Sequence, residues 1–462
     1  METYDAIIIG IGQAGNPLSA TLAEQGLKTA VIEREHPGGS CVNYGCTPTK
    51  TMLASATASH VIRTSTEVGI QSSPPQTNFQ KVIERRNNMV KKSREGIEKK
   101  ILETENITYL FGEARFIGNK LLQIKMNEGE EAKEITAEKI FINVGTSPRI
   151  PEIEGLDKVD YLTAKSMMKL QELPEHLAII GGSYIGLEFG QMYRRLGSKV
   201  TVIQQEGHLA PKEDEDVSEA MQEFLEEEGI EVYLNTKPVH VEKKGSGLSI
   251  QTKGNVSKTL DCSHLLIATG TTPNTEVLNL DKTRVKLAKH QYIEVNQHLE
   301  TNIDGIFALG DCKGGPEFTH ISYDDFRIVN DYLFGKKKRK LDDRMQPYTM
   351  FTKPELGRVG LNEKQAKEKG INYKIAQMPM TQSARAKEAN ETNGLLKVLI
   401  DPKSKKILGA TCLAEIGGEI MSMLQIAMMG GLTYEQLRDG VFAHPTYAES
   451  LNNLFVNVED PG

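Results

Sequence analysis

The chain has 462 residues, too many for a single hydrophobic core, so we expect about three domains. Its 39% apolar and 25% charged residues are ordinary for a globular protein, and a net charge of −7 gives no general attraction to nucleic acid or to membranes. No apolar run approaches the roughly 20 residues of a membrane span, and no signal peptide is visible. With five cysteines in a chain of this size, we expect a cytoplasmic protein in which any disulfide is catalytic.

A glycine-rich turn follows the first predicted strand, residues 4–9. Gly10, Gly12 and Gly15 allow a tight turn, a close approach of the backbone to a pyrophosphate, and close packing of the next helix. The N-terminus of that helix attracts phosphate groups. Glu33 stands 18 residues after Gly15 at the end of the second strand, where its carboxylate can bind ribose hydroxyls. The segment predicts a dinucleotide site, with an ordinary α/β turn as the alternative.

The same plan of strand, turn, helix and strand recurs later in the chain, with Gly181, Gly182 and Gly186 in the turn. The second strand of this repeat ends at Gln204 and Gln205. These residues offer neither the acid typical of NADH enzymes nor the arginine typical of NADPH enzymes. Because an amide does not repel a 2′-phosphate, we expect use of both coenzymes or a mild preference for NADPH.

Similar turns close both of these units, at residues 144–148 and 269–273. We therefore predict two nucleotide-binding domains, the second inserted into the first. Residues 80–105 are highly charged with a helical pattern, which predicts a long solvated helix. From about residue 346 the strands and helices continue without a nucleotide fingerprint, which indicates a third domain with another task.

Cys41 and Cys46 are five residues apart. In a regular helix their Cα atoms would be about 8.6 Å apart, whereas a disulfide requires less than about 7 Å. The pair can close only if the backbone departs from a regular helix, which Gly45 permits. Two buried thiols, or half of a zinc site, are the alternatives, but His36 and His60 lack the spacing of zinc ligands. The segment predicts a redox-active pair.

Thr47 and Pro48 resemble a helix cap followed by proline at the first helical position. This places Cys46 at a helix N-terminus, where the helix dipole and Lys50 would favour its thiolate. The remaining cysteines are isolated and are expected in hydrophobic cores: Cys262, Cys312 and Cys412.

Residues 38–50 resemble the redox-active motif of the pyridine-nucleotide disulfide oxidoreductases, a family that includes glutathione reductase, dihydrolipoyl dehydrogenase and mercuric reductase. The resemblance extends along the whole chain. Residues 306–311 are similar to the family's second flavin motif, whose aspartate is Asp311 here. Residues 442–449 match the C-terminal histidine–glutamate signature.

The resemblance implies an α/β fold with two Rossmann-like nucleotide-binding domains, for FAD and NAD(P), and a C-terminal α+β dimerisation domain. The FAD domain would comprise residues 1–150 and 271–345, the NAD(P) domain 151–270, and the dimerisation domain 346–462. The implied FAD contacts are Gly10, Gly12, Gly15, Glu33, Gly39, Ser40, Lys50, Ala114, Thr146, Asp311 and Thr319. The implied NAD(P) contacts are Gly181, Gly182, Tyr184, Gly186, Gln204 and Gly270. No metal-binding residues are implied.

The resemblance also implies catalytic roles. NAD(P)H would dock under Tyr184, Cys46 would be the flavin-proximal thiolate, and Cys41 the interchange thiol that meets the substrate. His444 would act as acid and base for Cys41, with Glu449 orienting its ring. In the family this histidine reaches the cysteines of the partner subunit, so a homodimer with active sites shared across the interface is expected. The same comparison implies that Lys50 pairs with Glu188 beside the flavin.

Each of these roles has a structural alternative. Thr446 and Glu449 also fit a capping box, so Glu449 could serve only to begin a helix, or could serve both purposes. His444 could be a packed histidine, and Lys50 with Glu188 a surface pair. The methionines of residues 421–429 fit a packed helix or a dimer interface better than soft-metal ligation.

Within the family, residues 318–329 and 383–386 resemble the mercuric-reductase-like enzymes, in particular the reactive-chlorine-responsive RclA type, which is associated with copper(II) reduction and resistance to hypochlorous acid. No vicinal cysteine pair stands near the C-terminus, so dedicated mercury detoxification is not expected. We predict transfer of electrons from NAD(P)H through flavin and the Cys41–Cys46 disulfide to Cu(II), Hg(II) or a related oxidant in stress defence. Reduction of a small disulfide is the alternative. Dihydrolipoyl dehydrogenase is a third option, disfavoured by Phe442 at the position of that enzyme's second histidine.

Overall fold

The structure is a computed structural model that describes residues 1–129 and 132–461. The helices of these residues are α1 (Gly15–Glu24), α2 (Gly39–Asn43), α3 (Cys46–Thr64), α4 (Phe79–Glu103), α5 (Ala164–Met167), α6 (Tyr184–Leu196), α7 (Glu215–Glu227), α8 (Thr319–Phe334), α9 (Glu363–Glu368), α10 (Ala384–Ala389), α11 (Gly417–Met429), α12 (Tyr434–Arg438) and α13 (Ser450–Leu454). The strands are β1 (Glu2–Ile9), β2 (Thr29–Glu33), β3 (Ile107–Gly118), β4 (Leu121–Met126), β5 (Lys133–Ile142), β6 (Thr146–Pro148), β7 (His176–Ile180), β8 (Lys199–Ile203), β9 (Glu231–Tyr233), β10 (Thr236–Lys244), β11 (Gly247–Gly254), β12 (Thr259–Cys262), β13 (His264–Ile267), β14 (Thr271–Pro273), β15 (Ile306–Ala308), β16 (Tyr348–Met350), β17 (Glu355–Gly360), β18 (Lys374–Pro379), β19 (Leu395–Ile400), β20 (Ile407–Ala414) and β21 (Val458–Glu459).

The chain divides into two units that each combine separate segments. Unit 1 consists of Met1–Thr51, Lys81–Arg149 and Gly270–Arg344. Unit 2 consists of Met52–Gln80, Ile150–Thr269 and the chain from Met345 onward.

The main sheet of unit 1 has a parallel core in the order β3–β2–β1–β5–β15. β4 pairs antiparallel with both β3 and β5. The side chains of β1 alternate between two cores, with Ile7 and Ile9 in one and Ala6 and Ile8 in the other, as expected for a parallel strand covered on both faces. The carboxyl ends of β1, β2, β5 and β15 therefore meet at one edge of the sheet, which is where open α/β sheets bind ligands.

Unit 2 contains a parallel sheet in the order β13–β7–β8–β9, in which α6 connects β7 to β8. A three-stranded antiparallel sheet, β10–β11–β12, follows. The C-terminal part is an antiparallel sheet in the order β16–β17–β20–β19–β18–β21. Its core includes Leu396, Val398 and Leu424, so α11 packs against this sheet.

The predicted elements agree with these boundaries. The strand predicted at residues 4–9 is β1, and the long charged helix predicted at 80–105 is α4. The two similar closing turns pair with each other as antiparallel strands β6 and β14. As predicted, three cysteines are buried: Cys262, Cys312 and Cys412. Among the described residues, no helix combines the length and the apolar character that a membrane crossing requires.

Candidate active site

The first glycine turn forms a groove without side chains at the sheet edge of unit 1. Gly10 has φ +97°, and a Cβ atom on Gly15 would collide with the carbonyl oxygen of Gly10. A Cβ atom on Gly39, whose φ is +63°, would lie 2.9 Å from Cα of Gly12. Any other residue would fill this space. The groove at the start of α1 therefore fits a pyrophosphate, whose negative charge the positive end of the helix dipole would stabilise.

Glu33 is held beside this turn at the end of β2. Its carboxylate accepts hydrogen bonds from the Ile11 N–H at 3.0 Å and the Glu35 N–H at 2.8 Å. Burial raises the pKa of the Glu33 carboxyl, although these two N–H groups act in the opposite direction. The position next to the groove fits binding of the ribose hydroxyls of a dinucleotide.

Asn143, which the sequence analysis missed, connects two parts of this site. It follows β5 and is buried, and its Oδ1 accepts from the Gly15 N–H at 3.0 Å. Its Nδ2 donates to the carbonyl oxygen of Leu309 at 2.9 Å. The side chain thus ties the glycine turn to the segment after β15. The available signal was a polar residue at the end of an apolar strand.

Asp311 lies in the turn after β15, close to a second carboxylate, Glu317. Glu317 accepts hydrogen bonds from the hydroxyls of Thr271 at 2.7 Å, Tyr292 at 3.0 Å and Thr146 at 3.4 Å. Burial, followed by the negative charge of Glu317, raises the pKa of Asp311 to about 7. Glu317 was also missed by the sequence analysis. Asp311 and the glycine groove lie at the same sheet edge, which fits a ligand with hydroxyl groups and a diphosphate, as FAD has.

The helix containing Cys41 ends before Cys46, so the two cysteines do not share a helix. α2 ends at Asn43, and the N–H groups of Tyr44 and Gly45 both donate to the carbonyl oxygen of Ser40, at 2.8 and 2.6 Å. The predicted departure from a regular helix is present.

The predicted start of the next helix was wrong by two residues. Cys46 is the first residue of α3, so Thr47 is not its cap and Pro48 is its third residue. Proline is tolerated there because the first four N–H groups of a helix have no partner within it. The conclusion that Cys46 lies at a helix N-terminus is unaffected.

Both cysteines are thiols in this structure. The Cys46 sulfur lies 3.2 Å from Oγ1 of Thr319, the first residue of α8. The pKa of the Cys41 thiol is raised, first by a hydrogen bond with Cys46 and then by burial, while Thr319 acts to lower it. Thr319, predicted only as an FAD contact, therefore contacts the dithiol.

The second glycine turn, in unit 2, repeats the geometry of the first. Gly181 has φ +111°, and a Cβ atom on Gly186 would collide with its carbonyl oxygen. The Gly182 N–H donates to Oε1 of Gln204 at 2.7 Å, in the way that the first turn donates to Glu33. Nε2 of Gln204 donates to the carboxylate of Glu206 at 2.7 Å. The sequence analysis missed Glu206, an acid at the strand end where a coenzyme ribose would lie.

Tyr184 and Glu188 both lie in α6. The Tyr184 hydroxyl donates to Glu213 at 2.8 Å. Oε1 of Glu188 accepts from the backbone N–H of Phe351 at 2.8 Å. Lys50, the predicted partner of Glu188, lies in α3 in the other unit, so their pairing stays a prediction.

His444 and Glu449 are in direct contact. Nδ1 of the imidazole lies 2.8 and 3.0 Å from the two carboxylate oxygens. The backbone N–H of Glu449 donates to Oγ1 of Thr446 at 3.2 Å, just before α13. Glu449 is itself the N-cap of α13, which has no side-chain cap hydrogen bond, so Thr446 binds the backbone before the helix while the Glu449 carboxylate contacts His444.

Three further predicted cofactor residues are Ser40, Ala114 and Gly270. Ser40 is exposed in α2, and Ala114 is buried in β3, so a cofactor contact from Ala114 would come from its backbone. Gly270 begins the last segment of unit 1 and accepts from the Arg149 N–H at 2.9 Å. Over residues 1–129 and 132–461, no group of three His, Cys, Asp or Glu side chains is arranged to hold a metal ion.

Comparison with known proteins identifies the family. Residues 4–325 match the pyridine nucleotide-disulphide oxidoreductase family, and residues 346–455 match its dimerisation domain. The chain is 37% identical over 459 residues to the probable pyridine nucleotide-disulfide oxidoreductase RclA of Escherichia coli (strain K12), covering 98% of this chain and 99% of that protein. It is 35% identical over 449 residues to a mercuric reductase of Staphylococcus aureus, covering 97% and 81%. The solved Cu(II) complex of the HOCl-induced flavoprotein disulfide reductase RclA from Escherichia coli matches with a TM-score of 0.89 and 36% identity over 99% of each chain.

The chain belongs to the pyridine nucleotide-disulphide oxidoreductase family. It is an oxidoreductase that uses FAD and NAD(P)H. The predicted family, the fold class of two nucleotide-binding domains with a C-terminal dimerisation domain, and the predicted cofactors are thereby confirmed.

Proposed function

We propose that this enzyme takes electrons from NAD(P)H and passes them through FAD and the Cys41–Cys46 pair to a metal ion, Cu(II) or Hg(II), or to a related oxidant during stress. The observation that carries the proposal is the cysteine pair, with Cys41 in α2 and Cys46 at the start of α3, in the same unit as the glycine groove; the Cys46 sulfur lies 3.2 Å from Oγ1 of Thr319. The nature of the acceptor is supported by the relatives, which include a mercuric reductase and an HOCl-induced reductase solved with Cu(II).

FAD, when bound, would accept hydride from NAD(P)H and pass an electron pair to the disulfide. The residues proposed to hold it belong to residues 1–150 and 271–345, with the pyrophosphate on the first glycine turn, the ribose on Glu33 and the ribityl hydroxyls on Asp311. Residues 151–270 would bind NAD(P)H, and residues 346–462 would form the dimer. The chain passes between the two units at residues 149–150, 269–270 and 344–345, which supports these boundaries, and also at 51–52 and 80–81, so that residues 52–80 belong to unit 2.

The cysteine pair balances the electrons. Reduction of the Cys41–Cys46 disulfide breaks the S–S bond and takes up two electrons and two protons, leaving two thiols. Two Cu(II) ions would each remove one electron, or one Hg(II) ion would remove two, and the S–S bond would re-form with release of two protons. Cys46 would be the flavin-proximal thiol and Cys41 the thiol that meets the acceptor.

His444 would accept the proton of Cys41 through the ring nitrogen that does not contact Glu449, and the Glu449 carboxylate would stabilise the imidazolium that forms. Cys41 belongs to unit 1 and His444 to unit 2, and the imidazole is 67% exposed in the single chain. We propose that His444 reaches the thiols of the partner subunit in a homodimer whose active sites are shared. Lys50 and Glu188 would pair beside the flavin.

Two further features support the remaining parts of this proposal. Met423, Ile426 and Met429 lie three residues apart on α11 and are 36%, 69% and 70% exposed, an apolar face that a second copy could cover. Five cysteines in a chain of 462 residues do not make a disulfide scaffold, as is typical of proteins of a reducing cytoplasm. We therefore place the homodimer in the cytoplasm.

The proposal is tested by anaerobic oxidation of NADH and NADPH with Cu(II), Hg(II), lipoamide and a panel of small disulfides. The wild type is compared with Cys46→Ser and with Cys262→Ala, a matched control that removes a buried thiol outside the site. We expect turnover with metal ions that is lost in Cys46→Ser and retained in Cys262→Ala. Turnover with one disulfide and none with metal ions would replace the metal-reductase function with that of a disulfide reductase. Metal-dependent turnover that survives Cys46→Ser would contradict electron transfer through the pair.

A further inference from the structure

The hydroxyl of Tyr184 is bound by a carboxylate that is inaccessible to solvent. Glu213 follows β8 in the chain, and its side chain is 0% exposed. Its Oε1 accepts from the hydroxyl of Tyr184 at 2.8 Å and from the hydroxyl of Tyr348 at 2.7 Å. Its Oε2 lies 3.3 Å from Nη1 of Arg358, whose side chain is 4% exposed. A buried carboxylate needs such partners, because burial of a charge without them is strongly unfavourable.

The loop that carries Glu213 is held by hydrogen bonds to the glycine turn and to Arg358 of β17. The Ala210 N–H donates to the carbonyl oxygen of Gly182 in the second glycine turn at 2.8 Å, and the Glu213 N–H donates to the carbonyl oxygen of Ala210 at 2.8 Å. Arg358 also donates to the carbonyl oxygen of Lys212 at 3.0 Å. The loop between β8 and α7 is therefore held between the glycine turn and β17.

The two tyrosines are neighbours, and their hydroxyls share one carboxylate oxygen. Their rings meet edge to face with centroids 5.6 Å apart, and Tyr348 pairs with Arg358 across β16 and β17. Burial, followed by the charge of Glu213, raises the pKa of both phenols, so both remain hydrogen-bond donors. If the Tyr184 ring moves away, Glu213 keeps its contacts with Tyr348 and Arg358.

We propose that Glu213 is a positioning residue for the coenzyme gate: its carboxylate holds the Tyr184 ring by accepting a hydrogen bond from the hydroxyl, and Tyr348 sets the strength of that hold by sharing the same oxygen atom. This inference rests on the proposed role of Tyr184 over the NAD(P)H site. Opening the gate then breaks the hydrogen bond between Tyr184 and Glu213 and leaves the carboxylate paired with Tyr348 and Arg358. The gate can therefore release without the large penalty that an orphaned carboxylate would impose.

The arrangement makes opposite predictions for the two hydroxyls. Tyr184→Phe removes the hold, so coenzyme binding should tighten by about 3-fold to 10-fold, the scale of one net hydrogen bond. Tyr348→Phe leaves Tyr184 as the one phenol on Oε1 of Glu213, which strengthens the hold and should weaken binding by about the same factor. Both substitutions keep the ring, so they preserve packing.

The experiment measures the dissociation constant of NAD⁺ and of NADP⁺ by calorimetry on the FAD-bound enzyme, together with KM and kcat, for the wild type, both single variants and the double variant. We expect Tyr348→Phe to weaken binding in the wild-type background and to have no effect in the Tyr184→Phe background, with changes in KM rather than kcat. Equal effects of Tyr348→Phe in both backgrounds, or none in either, would overturn the inference.

Tyr184→Ala separates failure of this inference from failure of the proposed gate. If removal of the ring changes the dissociation constant but removal of the hydroxyl does not, the gate stands and the role of Glu213 is wrong. If neither change has an effect, Tyr184 does not cover the coenzyme site, and that part of the proposed function is also wrong.

Discussion

Replacing Glu449 with glutamine should slow the half-reaction in which the dithiol is oxidised. The carboxylate contacts Nδ1 of His444 with both oxygens, at 2.8 and 3.0 Å. A glutamine oxygen can still accept this hydrogen bond, but the negative charge that stabilises the imidazolium is lost. The side chains of His444 and Glu449 are 67% and 27% exposed, so water screens part of the interaction.

A hydrogen bond to a charged group contributes about 1.5–3 kcal/mol, which we reduce to about 1–2 kcal/mol for this partly exposed pair. Since about 1.4 kcal/mol corresponds to a tenfold change in rate, Glu449→Gln should slow dithiol oxidation by about 5-fold to 30-fold. Reduction of the enzyme by NADH should be unchanged, because the proposed role of His444 concerns only the thiols. Stopped-flow absorbance of the flavin, with NADH and then with Cu(II), measures the two half-reactions separately.

Thr446→Ala is the matched control, because it removes the hydroxyl that accepts from the Glu449 N–H at 3.2 Å and leaves the carboxylate in place. Loss of this hydrogen bond should lower the free energy of unfolding by about 0.5–1.5 kcal/mol without a comparable effect on the rate. The reasoning would be refuted if Thr446→Ala slowed dithiol oxidation as much as Glu449→Gln, or if Glu449→Gln slowed reduction by NADH equally.

Three other outcomes are expected. Lys397 is 2% exposed and lies 2.6 Å from Asp216 and 2.8 Å from Glu363. Burial opposes its charge, but these carboxylates outweigh that effect and raise its pKa. Lys397→Met should lower the free energy of unfolding in urea by about 3–5 kcal/mol, whereas the exposed control Lys367→Met should lower it by less than about 0.5 kcal/mol. An equal effect of the two would contradict the buried network. Glu206→Gln should raise kcat/KM for NADPH by up to about tenfold and leave kcat/KM for NADH unchanged. The reason is that it removes a negative charge, which repels the 2′-phosphate, beside the proposed ribose site. An unchanged ratio of the two kcat/KM values would place the 2′-phosphate elsewhere. The pKa of Asp311 is raised to about 7 in the folded protein, compared with 3.8 when unfolded. Its favourable contribution to the free energy of unfolding is therefore complete below pH 3.8 and is lost as the pH rises through about 7. Flavin-depleted protein should thus unfold more easily at pH 8 than at pH 6, and Asp311→Asn should remove most of that difference; a variant with the full difference would show that other groups cause it.

Several features of the site could be predicted from the sequence because they depend on residues close together in the chain. The two glycine turns require small residues at fixed spacing, and Gly10 and Gly181 do adopt positive φ angles. The break between Cys41 and Cys46 follows from disulfide geometry and the glycine beside it. The contact between His444 and Glu449 spans five residues.

Other features were decided by the tertiary structure, because their partners are distant in sequence. Asn143 contacts residues 128 and 166 positions away, and nothing in its own segment specifies them. Glu213 accepts a hydrogen bond from Tyr348, which lies 135 positions further along the chain. The role of Glu206 follows from the orientation of the Gln204 amide, whose oxygen accepts from the glycine turn and whose amino group donates to the Glu206 carboxylate.

The start of α3 shows the limit even for local prediction. Thr47 and Pro48 have the composition of a cap and a first helical residue, yet the helix begins at Cys46. Proline is compatible with several positions in the first turn, so composition alone leaves the boundary open by a residue or two. The local sequence therefore determined the turns and the break between the cysteines, through short-range backbone constraints, whereas the histidine–glutamate contact was implied by the family resemblance. The long-range packing of strand ends and loops determined which polar groups meet around them.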